Sequence, residues 1–300
     1  PNGPNIYVKN SSFVRISNLR IERNVSGYKA HKANWTAFLC ENSDNIVFDN
    51  NYVGPAGAWA VTFGVYINTP HLDNAPFAPC RNVVVVDNEF TNPFLDTLHF
   101  MGGGNYYIIG NYFHDAGDDF ISIGADKDFP VENVIIIGNI FRNETSGGNS
   151  NAVKLYSGWE NRATPATGII KGVLVADNVV DGVGQYFLSI DYGSTTVQVD
   201  YIVWGLAIIG NLIKRASIGP GVGFRGGIYI NSAKDVLIEG NIIPEQPSGV
   251  LATIVISTTP LYKTMTNVPS GVDRVILRGN YTKGSVILYG DPSKPLSSVQ

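Results

Sequence analysis

The sequence has few charges and lacks the segments that define several large classes of protein. Charged residues make up 15% of the chain, and the net charge is −4, whereas an ordinary soluble domain has about 25% charged residues. The Lys and Arg residues are scattered, and a protein that binds nucleic acid needs a clustered basic face. No run of about 18 apolar residues occurs. The composition therefore predicts neither nucleic-acid binding nor insertion into a membrane.

Motifs for nucleophilic, phosphate-binding and zinc chemistry are also absent. The chain contains no G-x-S-x-G, no G-x-x-x-x-G-K-[ST], no H-E-x-x-H and no C-x-x-C. Three glycines at 102–104 follow an apolar run, but no helical pattern follows them, so they indicate a turn and not a phosphate loop. Only two cysteines occur, Cys40 and Cys80. They are consistent with two buried thiols or with a single disulfide between neighbouring parts of the chain.

What the chain does contain is a repeat in which an apolar strand ends on asparagine. Asn111 closes the strand of NYYIIGNYF, and Asn139 closes that of NVIIIGNIF. The pattern occurs nine times, at Asn18, Asn51, Asn88, Asn111, Asn139, Asn178, Asn211, Asn241 and Asn280. At an inward bend such an amide can bond the backbone of its own coil and the Asn of the next coil, and Asn tolerates the left-handed conformation. We therefore predict a structural role for these asparagines.

A second short apolar strand follows each of these asparagines. The triplets are FLC at 38–40, VTF at 61–63, LHF at 98–100, ISI at 121–123, VKL at 153–155, LSI at 188–190, IYI at 228–230, IVI at 254–256 and VIL at 286–288. Side chains alternate along a strand, so the outer two residues of each triplet should point inward and the middle one outward. Coils this short leave no room for a helix. They predict a solenoid in which strands of successive coils pair in parallel, about 4.8 Å apart.

The repeated NVxIxxNxF pattern resembles the right-handed parallel β-helix of the pectin lyase-like superfamily. The resemblance covers about residues 5–291 and implies an all-β fold, a single-stranded right-handed parallel β-helix of about nine coils with loop insertions. We expect residues 1–291 to form one β-helix domain excised from a longer chain, and residues 292–300 to form a tail. The insertions are expected to build one wall of a groove; they fall at 24–36, 142–151 and 214–226 before the second strand, and at 66–81, 156–171, 192–200 and 257–273 after it.

Acidic residues are concentrated in two adjacent coils. Asp96 and Asp119 both fall three residues before the outward residue of their triplet, and Asp118 lies beside Asp119. Neighbouring carboxylates raise the pKa of one member and leave another ionised, and glycoside hydrolysis needs such an acid–base pair. We predict that Asp96, Asp118 and Asp119 are catalytic. The alternative is that these aspartates only form turns.

Other side chains of the same face are candidates for binding a sugar. The register places His99 and Lys154 next to the aspartates, and aromatic residues lie near them. The predicted substrate-binding residues are His99, Lys154, Tyr156, Trp159, Asp191 and Tyr229. No cofactor is predicted; the alternative use of the acids is a Ca²⁺ site with ligands among Asp115, Asp118, Asp119, Asp126 and Asp128.

This arrangement partly resembles the polygalacturonase-type glycoside hydrolases. The sequence GDD at 117–119 matches their Gly-Asp-Asp motif, and Asp96 falls where their Asn-Thr-Asp motif has its aspartate. The other two motifs do not match, because SNA at 150–152 stands where Gly-His-Gly is expected and no Arg-Ile-Lys occurs around residues 188–190. The resemblance implies a glycoside hydrolase, with a polysaccharide lyase as the weaker reading.

Two functions follow from the sequence. The first is an extracellular or virion-surface β-helix that recognises a polysaccharide or cell-surface glycan, as tailspikes do, and hydrolyses it with its aspartates. The alternative is a non-catalytic spike, fibre or adhesin with a structural or receptor-binding role. A homotrimer is the assembly expected of a spike, whereas a monomer would favour a free-standing enzyme.

Overall fold

A computed structural model describes residues 4–22, 36–56, 59–64, 79–125, 129–143, 150–157, 168–192, 199–216, 227–244, 253–257, 271–284 and 286–289. Within these ranges the chain forms 28 β-strands and no helix. The strands are arranged in three sheets, which we call A, B and C. No described segment could therefore cross a membrane as a long apolar helix.

The bounds of the strands are as follows. Sheet A contains β1 (Ile6–Lys9), β4 (Phe38–Glu41), β7 (Val61–Phe63), β10 (Leu98–Met101), β13 (Ile121–Ala125), β16 (Val153–Ser157), β19 (Leu188–Tyr192), β22 (Ile228–Ile230), β25 (Ile254–Ser257) and β28 (Val286–Tyr289). Sheet B contains β2 (Ser12–Ser17), β5 (Asp44–Asp49), β8 (Arg81–Val86), β11 (Gly103–Ile109), β14 (Val131–Ile137), β17 (Ile170–Ala176), β20 (Val203–Ile209), β23 (Ser232–Glu239) and β26 (Gly271–Arg278). Sheet C contains β3 (Arg20–Ile21), β6 (Tyr52–Val53), β9 (Glu89–Thr91), β12 (Tyr112–His114), β15 (Ile140–Arg142), β18 (Val179–Asp181), β21 (Leu212–Arg215), β24 (Ile242–Ile243) and β27 (Tyr281–Thr282).

The chain winds through the three sheets in turn, so that each strand pairs in parallel with the strands one coil before and after it. For example, β13 pairs with β10 on one side and with β16 on the other. This is a right-handed parallel β-helix of nine coils, and the predicted fold class is confirmed. All nine predicted triplets lie in sheet A. The sheet has a tenth strand, β1, which precedes the first repeat and was not predicted.

Eight buried or partly buried asparagines form a continuous ladder at the turn between sheets B and C. From Asn88 onward, the side-chain oxygen of each accepts hydrogen bonds from the backbone N–H and the side-chain amide of the Asn one coil before, as Asn139 Oδ1 does from Asn111 at 2.9 and 3.0 Å. Each amide also donates to backbone oxygens, as Asn139 does to Ile108. The ladder members are Asn51, Asn88, Asn111, Asn139, Asn178, Asn211, Asn241 and Asn280. The predicted structural role is thus confirmed for these eight.

The ninth asparagine of the pattern, Asn18, occupies a different position. Asn51 Oδ1 accepts its bond from the backbone N–H of Leu19, so Leu19 holds the ladder position of the first coil. Asn18 holds the turn position before it, with a φ of 59°. That position, and not the ladder position, takes the left-handed conformation, as at Asn50 with a φ of 52° and Gly138 with a φ of 67°. The alignment of the first coil was therefore wrong by one residue.

The interior of the coils is filled by stacks of aromatic and aliphatic side chains. Three phenylalanines from successive coils stack along the axis, with ring centroids 5.0 Å apart between Phe90 and Phe113 and again between Phe113 and Phe141. Cys40 and Cys80 are both fully buried, and their sulfur atoms are 3.3 Å apart. They are free thiols in this structure, which is the first of the two alternatives left open by the sequence.

Most of the insertions lie outside the described residues. The described coils nevertheless differ in length, because Asn88 and Asn111 are 23 residues apart and Asn139 and Asn178 are 39 apart. The strands of sheets A and B and the ladder keep their register through these changes, and sheet C has one register shift, between Val180 and Asp181. The frame that positions a site on sheet A is therefore constant across coils of different length.

Candidate functional site

Hydrogen bonds connect five residues from successive coils, each of which stands three positions before the outward residue of its coil. The indole Nε1 of Trp59 donates to Asp96 Oδ2 at 3.1 Å, and the backbone N–H of Asp119 donates to Asp96 Oδ1 at 3.2 Å. Asn151 donates to Asp119, and the backbone N–H of Tyr186 donates to Asn151. The structure therefore places Asp96 and Asp119 side by side on adjacent coils, as the predicted register requires.

Three carboxylates meet at this point. One oxygen from each of Asp96, Asp118 and Asp119 lies within 4.8 Å of the others. Asp119 is 1% exposed and Asp96 is 7% exposed, whereas Asp118 is half-buried. The local sequence explains the close approach, because a Cβ at Gly117 would overlap the carbonyl oxygens of the preceding coil at Phe94 and Pro93. Only glycine lets the turn before Asp118 lie this close to that coil.

Asp119 has hydrogen-bond and ion-pair partners on the next coil. Its Oδ1 accepts hydrogen bonds from the backbone N–H of Asn151 at 2.9 Å and from the side-chain amide of Asn151 at 2.6 Å. Its Oδ2 lies 3.6 Å from the ammonium of Lys154, which is 21% exposed. Lys154, which the register predicted next to the aspartates, thus contacts Asp119 directly.

Asp96 lies in a different electrostatic environment. Burial, and then the charges of Asp118 and Asp119, raise its pKa well above the ordinary value of 3.8, although Lys154 and the bond from the Asp119 N–H act in the opposite direction. Desolvation dominates because a buried carboxylate loses the hydration that stabilises its charge. Asp96 is thereby set up to hold a proton next to two other acids, which is the division of roles that acid–base catalysis needs.

His99 lies inside a stack of aromatic rings. Its imidazole is sandwiched between Trp59, with ring centroids 5.1 Å apart, and Tyr156, with centroids 6.5 Å apart. Its Nε2 is 2.9 Å from the Tyr156 hydroxyl. Gly124 makes room for this arrangement, since a Cβ there would lie 2.5 Å from the Tyr156 ring. Burial, with a smaller effect of Lys154, lowers the pKa of His99 to about 3. His99 is therefore neutral at the pH values where proteins usually work.

The buried neutral His99 should make stability depend on pH below its ordinary pKa of 6.5. The unfolded chain takes up a proton there and the folded chain does not, so this contribution is complete above pH 6.5 and is lost as the pH falls towards about 3. We expect wild-type stability to fall by up to about 1.4 kcal/mol per pH unit more than that of His99→Gln between pH 6 and 5. Urea unfolding at both pH values measures this, and equal slopes for the two proteins would contradict the burial of His99.

The outward face of sheet A is covered, which differs from the open groove expected from the sequence. The central residues His99, Ser122 and Ser189 point outward but are at most 3% exposed. One reason is visible in the stack, because the ring of Trp59, from the coil before, and the ring of Tyr156, from two coils beyond, lie on either side of His99. Alternation along a strand predicts which way a side chain points, but it does not predict which side chains of other coils cover it.

Several polar groups on this covered face lack hydrogen bonds within the described part of the chain. They are Thr62 Oγ1, Ser189 Oγ and both amide atoms of Asn231, all fully or almost fully buried. A buried polar atom without a partner is costly.

The remaining predicted residues are less closely connected to the acids. Tyr229 lies farther along sheet A, where it packs against Tyr186 with centroids 5.3 Å apart. Asp191 is paired in register with Tyr156, and its side chain lies outside the described set, as does Trp159. Of the Ca²⁺ ligands considered, Asp115 bonds to His114 at 3.1 Å and is not in the carboxylate cluster, whereas Asp126 and Asp128 lie outside the described residues.

Two residues of the site were not selected from the sequence. Trp59 bonds Asp96 and stacks on His99, and Asn151 makes both side-chain and backbone bonds to Asp119. Both residues stand three positions before the outward residue of their triplets, as Asp96 and Asp119 do. The sequence therefore indicated that they lie next to the aspartates. Asn151 stands where the Gly-His-Gly motif would have its histidine, and an asparagine amide can donate to a carboxylate as well.

Comparison with known proteins identifies the fold of the chain but assigns it to no family. No family model matches the chain, and no curated protein matches it. Among solved structures, the catalytic domain of a GH87 α-1,3-glucanase in complex with nigerose aligns with a TM-score of 0.52 at 14% identity, over 95% of this chain and 53% of that one. The A-module of the Azotobacter vinelandii mannuronan C-5 epimerase AlgE6 aligns with a TM-score of 0.52 at 14% identity, over 98% and 74%.

These likenesses define the class of protein as the right-handed parallel β-helix. At identities of 14% they establish the fold alone. The chain spans about half the length of the glucanase domain that it matches, with 53% of that domain covered.

Proposed function

We propose that this β-helix binds a polysaccharide at the acid cluster, reached from the side of Lys154 and Asp118, and hydrolyses its glycosidic bonds. The observation that carries the proposal is the cluster of Asp96, Asp118 and Asp119, whose oxygens lie within 4.8 Å of one another around one acid of raised pKa. Three acids this close repel one another unless one holds a proton, and glycoside hydrolysis uses such a set.

In the proposed reaction, Asp96 donates its proton to the glycosidic oxygen as the bond from that oxygen to the anomeric carbon breaks. A water molecule attacks the anomeric carbon and passes a proton to Asp118 or Asp119. The ammonium of Lys154, 3.6 Å from Asp119, offsets negative charge in the cluster. The sugar would approach from the side of Lys154 and Asp118, which are the least buried members of the site.

The solved structures of the same fold support a polymeric substrate. The GH87 enzyme is named as an α-1,3-glucanase and holds nigerose, and the AlgE6 module is named as a mannuronan epimerase. Two further glucanase structures with nigerose carry aspartate-to-alanine substitutions. We place the protein outside the cell or on a virion surface, where such polymers occur.

The proposal is tested by a release assay. The purified protein is incubated with α-1,3-glucan, mannuronan and a panel of other neutral and acidic polysaccharides, and new reducing ends and the absorbance of unsaturated products are followed. We expect reducing ends without unsaturation. Asp119→Asn should abolish them, and the matched control Asp115→Asn, an acid outside the cluster, should not. Unsaturated products would identify a lyase and overturn the acid–base assignment.

The non-catalytic spike remains the second candidate, because the outward face of sheet A is covered around His99 and Ser189. A non-catalytic spike would release no product from any polysaccharide, whether or not it binds a glycan. Binding that survives in Asp119→Asn, together with no release by the wild type, would favour it.

A further inference from the structure

Cys40 and Cys80 are the two cysteines of the chain, and the fold brings their side chains together in the core. Cys40 lies in β4 of sheet A, and Cys80 comes directly before β8 of sheet B, one coil farther along the axis. Their sulfur atoms are 3.3 Å apart, and the thiol of Cys80 donates a hydrogen bond to Cys40. The chain has no third thiol to compete, so this contact suits a single intramolecular disulfide.

Hydrogen bonds hold the backbone on both sides of this thiol pair. Strand β4 is paired in parallel with β1 on one side and with β7 on the other. The Cys80 carbonyl accepts a bond from the Tyr106 hydroxyl at 2.9 Å, and the Arg81 N–H donates to the Ser43 carbonyl of the coil before at 3.1 Å. An S–S bond is about 2 Å long, so the sulfur atoms have to approach by roughly 1.3 Å. The two side chains can make this movement between strands that stay paired.

We propose that Cys40 and Cys80 form a disulfide when the chain folds in an oxidising compartment, and that this bond locks two neighbouring coils together. The oxidant is itself a disulfide, such as oxidised glutathione. The thiolate of one cysteine attacks the oxidant, which gives a mixed disulfide and releases one thiol. The second cysteine then loses its proton and displaces the remaining half of the oxidant as a second thiol. The two cysteines thereby give up two electrons and two protons, which the oxidant takes up.

Burial decides when this disulfide forms. Both cysteines are fully buried, and the hydrogen bond to Cys80, followed by burial, raises the pKa of Cys40 well above its ordinary value of 9.0. Thiol–disulfide exchange needs a thiolate that the oxidant can reach, and the folded chain has no such thiolate at this pair. The bond therefore forms while the coils are still closing. The folded core then protects the oxidation state in which it closed.

The disulfide closes a loop that contains the strands β5, β6 and β7. A closed loop has fewer conformations in the unfolded chain, and this stabilises the folded chain relative to it. In sheet A the linked coils lie close to the edge strand β1, and a stacked repeat is held from one side only at such an end. We expect the oxidised chain to melt about 5–10 °C above the reduced chain.

The test compares the full chain made in the bacterial cytoplasm, where thiols stay reduced, with the same chain exported to the periplasm, where disulfides form. Each sample is unfolded in guanidinium with N-ethylmaleimide, which labels free thiols only, and its intact mass is measured. The exported chain should take no label and the cytoplasmic chain two. Without reductant, the exported chain should run on a denaturing gel at the 32.4 kDa of one copy. The control Cys40→Ala has no partner for Cys80, so its two forms should melt at the same temperature.

An exported chain that is folded by circular dichroism and still takes two labels would overturn the inference, as would a bond to glutathione or to a second copy. If export yields no folded chain, refolding the cytoplasmic chain from urea with reduced and oxidised glutathione gives the same readings. The folded cytoplasmic chain, left overnight with oxidised glutathione, should keep both thiols; their loss would show that burial does not protect the pair. None of these measurements involves a glycan, so their outcome is independent of the proposed hydrolysis.

Discussion

Asn139→Ala is expected to lower the free energy of unfolding by about 3–5 kcal/mol, a loss typical of a broken buried hydrogen-bond network. Asn139 is fully buried and donates to Ile108 and Asn178 while it accepts from the backbone and side chain of Asn111. Alanine leaves the Asn111 N–H and the Ile108 carbonyl buried without partners, and no water has access to replace them. Urea unfolding, with amide exchange at the central coils, measures the loss.

The end of the same ladder supplies the control. Asn280 accepts from Asn241 and donates to Ile238, but it has no ladder partner on its far side and is only half-buried. Asn280→Ala should therefore cost about 1 kcal/mol, close to the value of one ordinary hydrogen bond. Equal losses at both positions would mean that the ladder does not act as a connected network.

Asp96→Asn is expected to reduce glycan hydrolysis by a factor of about 10²–10⁴, the usual contribution of a general acid. The amide fits the same space but has no proton to give to the leaving oxygen. Initial rates of reducing-end release, for the variant and the wild type at several pH values, measure this. In the wild type the rate should fall on the alkaline side, as Asp96 loses its proton. Asp115→Asn, outside the cluster, should retain the wild-type rate and pH profile.

The same substitution tests the raised pKa of Asp96 without any substrate. The folded chain keeps this proton to a higher pH than the unfolded chain, so the stabilising contribution is complete below the ordinary value of 3.8 and is lost as the pH rises towards the folded pKa. Relative to the wild type, Asp96→Asn should therefore become steadily more stable as the pH rises from 4. A stability difference that stays constant with pH would show that Asp96 is charged in the folded protein.

The sequence predicted the sheet A strands and the relative positions of the aspartates, because both depend on local rules. Alternation fixes which face a residue takes, and the minimum coil of 23 residues from Asp96 to Asp119 fixes which coils are adjacent. The bonds from Asp119 to Asp96 and from Asn151 to Asp119 follow from that register. The sequence alone therefore predicted that Asp96, Asp119 and Asn151 form a polar stack.

Features that depend on neighbouring coils were not predictable in the same way. Sheet C strands of two to four residues, such as Tyr52–Val53, are too short to show a period. Asn18 was misplaced because an asparagine suits the left-handed turn as well as the ladder. His99 is covered by the rings of Trp59 and Tyr156, which belong to coils distant in sequence. The residues around His99 do not indicate that these two side chains extend over it.

The pairing of each strand only with the coils before and after it has a consequence for how the molecule comes apart. The hydrogen bonds of the three sheets join only neighbouring coils, so the chain behaves as a one-dimensional stack whose units cooperate with their nearest neighbours. Melting should begin at an end and advance coil by coil, because opening an inner coil breaks two contact layers and opening a terminal coil breaks only one. The acid cluster, held between inner coils joined by the stacked phenylalanines, should be among the last parts to lose its geometry.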